Sequence, residues 1–282
     1  MKNLQLALVL ATVTLATVSC GPKKVEPKKD EAPKILVLYY SQTSNTKAVA
    51  ALIAQKLNAD IEEIVPVEPY DGDFQATLDR SAKEREEGIT PEINSLKSDV
   101  GKYDIIFLGY PIWFGTYAPP VATFLKQVDL SDKTLVPFCT FGSGGLESSI
   151  RDLKESQPNA KITEGYGVRA ARLAAMPQEV DQFLKKNGFL KGEFTVLDEF
   201  GEVHPVTAEE SAVFEIAVGD YPMMHAKAEM ASSRFIPGGM EFIFEAVDLP
   251  REDMPNMPPP GKLQVYVIEM EGETPEFTKV VR

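Results

Sequence analysis

The hydrophobic positions in the first two thirds of the chain alternate between short continuous runs and helical spacing. The first run, residues 35–40 (ILVLYY), predicts a strand that is buried on both faces. Residues 47–57 then carry apolar side chains at helical spacing, which predicts an amphipathic helix. Six polar residues, 41–46 (SQTSNT), separate the two. The pattern therefore predicts a strand, a polar turn and a helix.

The same alternation continues to residue 187. Further strands are predicted at residues 61–65, 103–109, 134–140, 161–163 and 165–167, the last two forming one weak strand region. Further helices are predicted at residues 76–87, 119–125, 148–155 and 178–187. Strands that alternate with helices indicate a doubly wound α/β fold, in which a parallel sheet carries helices on both faces. In such sheets the ligand lies beyond the carboxyl ends of the strands.

The polar turn after the first strand has the composition of an anion site. Ser41, Thr43, Ser44 and Thr46 supply four hydroxyls within six residues. The first amides of the following helix have no carbonyl partner, and the helix dipole favours negative charge there. A single hydroxyl would suggest an ordinary N-cap. Four favour a bound phosphate, although the Gly-Lys-Ser/Thr ending of a P-loop is absent.

The loops after the next two strands suit a flat aromatic ligand. Residues 109–120 contain the chain's single Trp, Trp113, together with three other aromatic side chains and two glycines. Residues 140–145 (TFGSGG) form a loop whose backbone can approach a ligand closely. Packing beneath a loop would explain Trp113 alone, and turn chemistry would explain the glycines alone. Their meeting with the polar turn at one end of one sheet favours a ligand site.

Residues 34–187 resemble the flavodoxin family, in particular a subgroup of bacterial flavodoxin-like lipoproteins. The resemblance is carried by YYSQTSNTK at 39–47, YDIIFLGYPIWFGTYAPPVATFL at 103–125 and TLVPFCTFGSGG at 134–145. It implies a five-stranded sheet of order 2-1-3-4-5 and a non-covalently bound flavin mononucleotide (FMN). The flavin would supply the redox chemistry, so the resemblance implies no catalytic side chain.

The resemblance also implies which residues bind FMN. Its phosphate would be held by Ser41, Gln42, Thr43, Ser44, Asn45 and Thr46. One side of the isoalloxazine ring would be lined by Pro111, Ile112, Trp113, Phe114 and Gly115. The other side would be bordered by Thr140, Phe141, Gly142, Ser143, Gly144 and Gly145. Ser44 stands where the family usually has Gly, so its side chain either weakens phosphate binding or adds a hydroxyl to the site.

Four further residues are candidates for a role in the site or in the core: Tyr70, Arg80, Glu84 and Cys139. Arg80 and Glu84 lie one helical turn apart in residues 79–88, a segment without a counterpart in a minimal flavodoxin. An ion pair on the helix surface is the simpler interpretation; in the alternative, Arg80 or the nearby Tyr70 covers the flavin. Cys139 lies in an apolar strand and is predicted to be a buried core residue.

The C-terminal part of the chain, residues 191–282, has a different pattern. β-rich runs at residues 193–197, 213–218, 240–244, 263–268 and 277–281 are separated by Gly and Pro, and no long helix is expected. The pattern predicts a small antiparallel β module. Seven of the nine methionines lie here, and we expect them to fill the core rather than to bind copper with His225.

The charge is concentrated in that module. Residues 193–282 hold 18 Asp and Glu against 6 Lys and Arg, a net charge of −12 out of −13 for the chain. This sign argues against binding to nucleic acid or anionic lipid. It serves solubility, or alternatively docking to a basic electron-transfer partner. The two cysteines form no disulfide framework, and two histidines leave little for a His-based metal site.

The N-terminus predicts export and a lipid anchor. Residues 1–20 read as a signal peptide with Lys2, an apolar run too short to span a membrane, and Cys20 as the lipidated residue. Plain secretion is the alternative. Residues 21–33 are rich in Pro, Lys and Glu and predict a flexible linker. We therefore expect a protein of the bacterial cell envelope, held at the membrane by this anchor only, on the periplasmic side or the outer surface.

The expected domains are thus the signal peptide, the linker, an FMN-binding domain at 34–190 and the acidic module at 191–282. The expected function is electron transfer through FMN, as an oxidoreductase acting on a small acceptor. An electron carrier that docks with a protein is one alternative. A flavin-free interaction protein on the same scaffold is another. The sequence names neither the electron donor nor the acceptor.

Overall fold

The computed structural model of the protein describes residues 32–70, 73–219, 221, 224–250 and 263–281. Twelve strands and six α-helices lie within these ranges. The strands are β1 Ile35–Tyr39, β2 Asp60–Glu63, β3 Ile105–Trp113, β4 Thr116–Tyr117, β5 Thr134–Phe141, β6 Lys161–Ile162, β7 Tyr166–Arg169, β8 His204–Pro205, β9 Ala226–Ile236, β10 Gly239–Asp248, β11 Leu263–Glu271 and β12 Thr274–Val281. The helices are α1 Asn45–Leu57, α2 Phe74–Glu87, α3 Pro119–Gln127, α4 Leu146–Ser156, α5 Met176–Lys186 and α6 Ala208–Gly219.

The first sheet is parallel and has the predicted topology. Its strands follow the order β2-β1-β3-β5-β6, and β7 continues the row of β6 along β5. Because β4 is only the return strand of a short hairpin with β3, this is the predicted order 2-1-3-4-5. β3 extends to Trp113, four residues beyond the predicted end, since Ile112 and Trp113 pair with β4.

Alternate residues of the central strands point to two separate cores. Leu36, Leu38 and Leu108 pack on one face with side chains of α3 and α4. Val37 and Phe107 pack on the other face with side chains of α1 and α5. This explains why the strands read as continuous apolar runs: both faces are covered by helices. Cys139 belongs to the first core and is fully buried, as predicted.

The second sheet is antiparallel, which confirms the predicted β module. Its strands lie in the order β12-β11-β10-β9-β8, and α6 packs on it through Phe214 and Val218. Two local predictions were wrong. Residues 213–218 lie within α6, a helix of 12 residues, where a strand and no long helix were expected. Residues 193–197 have no regular secondary structure.

The two sheets belong to one compact unit, residues 33–282. Arg169 and Arg172, at the end of β7, both contact the C-terminal sheet. The predicted boundary near residue 190 stays a prediction, and so do the boundaries at residues 20 and 33.

Candidate functional site

The loop between β1 and α1 presents free backbone amides at a helix N-terminus. Asn45 and Thr46 begin α1, and within the described residues no acceptor is found for their N–H groups. Ser44 precedes them in the left-handed conformation (φ 67°), and its side chain makes no capping hydrogen bond. The first turn of α1 contains no acidic residue. This end of the helix is therefore positive and open to an anion.

The six residues predicted for the phosphate surround this helix end. Thr43 and Ser44 are exposed, Ser41, Gln42 and Asn45 are half-buried, and Thr46 is buried. The Ser41 hydroxyl oxygen accepts a hydrogen bond from the Lys47 amide (3.2 Å), so this side chain folds back over the turn. Gln42 is held by hydrogen bonds from its side chain to the Tyr70 carbonyl (3.3 Å) and from the Tyr40 hydroxyl (2.8 Å). Their direct contact with a phosphate stays a prediction.

A buried hydrogen bond joins this turn to the loop after β5. The hydroxyl oxygens of Thr46 and Thr140 lie 2.8 Å apart, and both residues are almost inaccessible to solvent. The sequence places these two residues in different predicted loops, 94 positions apart. Since their bond fixes one loop against the other, it sets the spacing between the predicted phosphate end and the predicted ring end of the site.

Thr46→Val should lower the free energy of unfolding by about 1–3 kcal/mol, because it leaves the Thr140 hydroxyl buried without its partner. The double variant Thr46→Val, Thr140→Val should be closer to wild type, since both polar atoms are removed from the same place. Urea denaturation measures both, and exposed Thr43→Val is the control, expected within about 0.5 kcal/mol. If the Thr46 single variant and the control lost equal amounts of unfolding free energy, the hydrogen bond between Thr46 and Thr140 would not contribute to stability.

The hairpin formed by β3 and β4 carries the aromatic residues of the second predicted loop. Phe114 (φ 51°) and Gly115 (φ 82°) form its tight turn. Phe114 is exposed, whereas the Trp113 indole packs edge-on against the rings of Tyr40 (centroids 5.9 Å apart) and Tyr70 (5.0 Å). Trp113 is therefore held in place by these two rings, and it is not among the residues that line the cavity between the second and third loops.

Tyr70 is itself held from the side of α2. The Arg80 guanidinium lies 4.0 Å from the centre of the Tyr70 ring, and its Nε donates to Glu84 (2.9 Å). The Tyr70 hydroxyl donates to the same carboxylate (2.5 Å). Burial, and then Glu84, raise the pKa of Tyr70 well above its ordinary value, so its proton stays in place. The Arg80–Glu84 ion pair is present, but it is partly buried (side chains 27% and 12% exposed) and not on the helix surface as expected. It supports the Tyr70 ring that packs against Trp113.

The second and third predicted loops meet at the carboxyl edge of the sheet. Pro111 lies opposite Thr140 in the register of β3 and β5. The Ser148 hydroxyl, in α4, donates to the Gly115 carbonyl (2.5 Å), which joins the hairpin turn to the helix after the third loop. A Cβ at Gly145 would lie 2.6 Å from a methyl carbon of Ile112, so the loops touch at this point.

A cavity of about 620 Å³ opens between the same two loops. Six residues predicted for the flavin ring line it: Ile112, Phe114, Gly115, Gly142, Ser143 and Gly144. The rest of its wall is formed by Arg85, Thr116, Ser148, Arg151, Asp152 and Tyr221. This volume lies in the range of small-ligand and cofactor sites.

Sequence reasoning did not find Tyr221 or the contact between the C-terminal module and the third loop. The Tyr221 hydroxyl lies so close to Gly142 that a Cβ there would be 2.6 Å from it. Val280, in β12, donates its amide hydrogen to the Ser143 carbonyl oxygen (2.6 Å). No sequence motif marks Tyr221 or Val280, because these contacts depend on how the two sheets pack against each other.

The described residues offer no metal centre and no membrane span. No group of three or more His, Cys, Asp or Glu side chains in these ranges is arranged to hold a metal ion. No helix in them is long and apolar enough to cross a bilayer. Met224 packs against the core of the module, and the His225 ring nitrogen Nδ1 lies 3.0 Å from the Pro250 carbonyl. Met223, Met254, Met257, Cys20 and the predicted signal peptide lie outside the described residues.

Comparison with known proteins identifies the family of the first domain. A family model described as flavodoxin matches residues 34–182, slightly more than half of the chain. The comparison with curated proteins gave no match.

Several solved structures resemble the same part of the chain. A candidate flavoprotein from Bacteroides eggerthii is 32% identical over 53% of this chain and 96% of its own (TM-score 0.46). A second, from Bacteroides uniformis, is 27% identical over 54% and 99% (TM-score 0.48). A flavoprotein from Lactobacillus acidophilus in complex with FMN is 27% identical over 54% and 98% (TM-score 0.46).

Proposed function

This chain belongs to the flavodoxin family, and we propose that it is a redox protein that binds FMN at the carboxyl edge of its parallel sheet. FMN is the cofactor of this site. The observation that carries the proposal is the meeting of three loops at that edge, from β1, β3 and β5. One loop presents the positive end of α1, and the other two border a cavity of cofactor size.

The residues of the first loop fit a phosphate monoester. The N–H groups of Asn45 and Thr46 are available, and the exposed hydroxyls of Thr43 and Ser44 stand beside them. The left-handed backbone at Ser44 is the conformation that glycine adopts without strain. It lets the chain turn sharply at the helix start, so the amides converge. Phosphate is bound here by dipoles and hydroxyls rather than by a paired cation.

The residues of the second and third loops fit the ring. The flavin supplies the electron-transfer chemistry when bound, and the protein sets its access and potential. Phe141 is buried in the core beneath these loops and Trp113 packs against that core, and apolar surroundings of this kind disfavour negative charge on the reduced ring. The Gly115 and Gly142 carbonyls already accept hydrogen bonds from Ser148 and Arg169, so the backbone that borders the ring is held in place.

We favour an oxidoreductase that acts on a small acceptor over a carrier that docks with proteins. The cavity beside the ring loops is walled by Tyr221 of the C-terminal module, and β12 lies along the third loop. Tyr221 and β12 stand beside the ring loops and would restrict the approach of a large partner to the ring, which favours a small acceptor. The flavin-free alternative is opposed by the open helix N-terminus at Ser44, which a scaffold without a ligand would not need.

Titration of the full-length protein with FMN tests the proposal. We expect saturable binding of one FMN per chain and quenching of the single Trp, because Trp113 lies in a loop that borders the ring. Anaerobic titration with NADH, NADPH or a quinol should then bleach the flavin absorbance. Turnover with a small acceptor alone would support the oxidoreductase, whereas turnover only with a protein partner would support the carrier. Absence of FMN binding would reject both.

We also propose that the protein is lipid-anchored in the bacterial cell envelope through Cys20. The support is the apolar run that ends at this cysteine, followed by the Pro- and Lys-rich stretch of residues 21–33. Cys20→Ser should move the protein from the membrane fraction to the soluble fraction. Unchanged fractionation, with no incorporation of labelled fatty acid into the wild type, would reject the anchor.

A further inference from the structure

The last strand of the C-terminal module lies directly along the third loop of the flavin site. Gly144 and Val280 form a parallel bridge, and the Val280 amide donates to the Ser143 carbonyl oxygen (2.6 Å). A Cβ at Gly144 would overlap the Val280 carbonyl oxygen. Only glycine allows the strand to come so close, so the sequence of this loop fits its contact with β12 as well as its predicted contact with the ring.

Two side chains clamp the same loop from either end. Arg169, at the end of β7, donates from Nε to the Gly142 carbonyl (2.9 Å) and from Nη1 to the Phe277 carbonyl in β12. Lys279, in β12, forms an ion pair with Glu147 in the first turn of α4 (2.9 Å). The loop from Gly142 to Gly145 is therefore held by residues on both of its flanks, and β12 contributes to each clamp.

Tyr221 brings the module to the cavity itself. Its hydroxyl lies beside Gly142, and its ring is fixed by Phe277 (centroids 5.9 Å apart) and by the Arg169 guanidinium (5.1 Å from the ring centre). Tyr221 and Gly142 both line the cavity between the second and third loops. A phenol held in this way presents a polar edge to whatever occupies that cavity.

We propose that the C-terminal module is the second half of the flavin-ring site: β12 sets the conformation of residues 142–145, and Tyr221 contacts the bound ring. This inference rests on the proposed function and extends the site beyond the residues that resemble a flavodoxin. It assigns a role to a module that the family model, which ends at residue 182, does not include.

Under this proposal, different parts of the chain bind the two ends of the cofactor. The phosphate end is built by the β1–α1 loop, and within the described residues no backbone hydrogen bond joins residues 41–46 to the module. The ring end is shared between the family fold and the module. Riboflavin has the ring but not the phosphate. A change in the module should therefore weaken the binding of FMN and of riboflavin by the same factor.

Tyr221→Ala in the full chain should weaken binding of both FMN and riboflavin by about tenfold, because it removes an aromatic contact and a hydrogen-bonding group. Tyr221→Phe keeps the aromatic ring and removes only the hydroxyl. It should weaken both affinities by about threefold, which is half of the tenfold effect on a logarithmic scale. Phe235→Ala is the matched control: it removes a ring of the same module that is 72% exposed and does not line the cavity. It should leave both affinities unchanged.

A second variant tests the clamp independently. Lys279→Met breaks the ion pair with Glu147 without touching the cavity wall, and should weaken FMN and riboflavin equally, by about threefold. It also decides the question if Tyr221→Ala fails to fold, which circular dichroism and thermal melting would reveal. Bound-flavin absorbance and reduction potential should shift in Tyr221→Ala and stay unchanged in Phe235→Ala.

The outcomes are distinct. The inference is wrong, and the proposed function still stands, if the wild type binds FMN and the Tyr221 and Lys279 variants do so equally well. Their affinities for FMN and riboflavin and their reduction potential would then match those of the wild type. Wild-type protein that binds neither FMN nor riboflavin would overturn the proposed function itself. Weakening of FMN alone would also contradict the inference, since it would place the module at the phosphate.

Discussion

Ser44→Asp should weaken FMN binding by at least about a hundredfold, whereas Ser44→Asn should stay within about threefold of wild type. Ser44 precedes α1 with φ 67°, a conformation that Asn and Asp tolerate better than most residues. Both variants should therefore fold. The aspartate carries a negative charge into the proposed phosphate site, and repulsion between charges about 4 Å apart costs several kcal/mol near a protein surface.

Riboflavin provides the control for that experiment. Since it lacks the phosphate, its affinity should be equal in the Asp and Asn variants. Thermal melting without ligand should show the Asp variant at least as stable as the Asn variant, because a carboxylate interacts favourably with a helix N-terminus. Fluorescence titration measures both affinities. If the Asp variant bound FMN as well as the Asn variant does, residues 41–46 would not hold the phosphate.

The fold of the first domain could be predicted because each of its elements carries a local signal. The strands at Ile35–Tyr39 and Thr134–Phe141 are buried on both faces and read as unbroken apolar runs. The loops that build the site lie where a strand ends and a helix begins, so the alternation alone places them at one edge. The hydroxyls of residues 41–46 then indicate an anion. Local pattern was sufficient here because the parallel topology brings the loops together.

The second module was predicted less well, for a reason that the sequence contains. Residues 213–218 (VFEIAV) are apolar except for Glu215 and partly β-branched, which suggested a strand. The helix α6 is instead initiated by a capping box, in which the Thr207 amide donates to Glu210 (2.9 Å) and the Glu210 amide donates to the Thr207 hydroxyl (3.2 Å). Phe214 and Val218, four residues apart, then face the sheet. The Thr-x-x-Glu signal outweighed composition.

The contact of the module with the site could not be predicted from the sequence at all. Tyr221 contacts Gly142, and the Val280 amide contacts Ser143, across a large sequence separation. Neither residue belongs to a recognisable sequence motif. Such contacts depend on the packing of two complete sheets. Propensity and periodicity describe each sheet separately and say nothing about which edges meet. The charge imbalance did not locate the contact either, because acidic residues occur throughout residues 193–282 and nothing in the sequence marks Glu269 and Glu276 as the ones that pair with Arg172.

Arg172 is the most heavily engaged of these arginines. Its side chain is only 6% exposed and lies among three carboxylates, those of Glu179 (3.2 Å), Glu269 (2.6 Å) and Glu276 (3.0 Å). Glu179 belongs to α5, whereas Glu269 and Glu276 belong to β11 and β12. One guanidinium therefore joins a helix of the first domain to two strands of the second sheet. Burial raises the pKa of Glu269 above its ordinary value, and the positive charge of Arg172 opposes that rise.

Arg172→Met should lower the free energy of unfolding by about 3–5 kcal/mol at pH 8, because it removes a buried guanidinium and leaves the half-buried Glu269 carboxylate without its cation. Without Arg172 the pKa of Glu269 should rise further. A carboxyl whose pKa is raised in the folded state stabilises the protein below the unfolded pKa, and that stability is lost as the pH rises through the folded pKa. The deficit of the variant should therefore grow between about pH 4 and pH 8.

Denaturant unfolding of wild type and variant across that pH range measures the effect. Glu276→Gln is the control: its carboxylate is 52% exposed, so its loss should cost less than about 1 kcal/mol. Adding Glu269→Gln to Arg172→Met should recover part of the lost stability, since the uncompensated charge is then removed. A deficit that is independent of pH, or one that Glu269→Gln leaves unchanged, would show that Arg172 acts by filling space, and that charge compensation does not hold the C-terminal module against the flavodoxin domain.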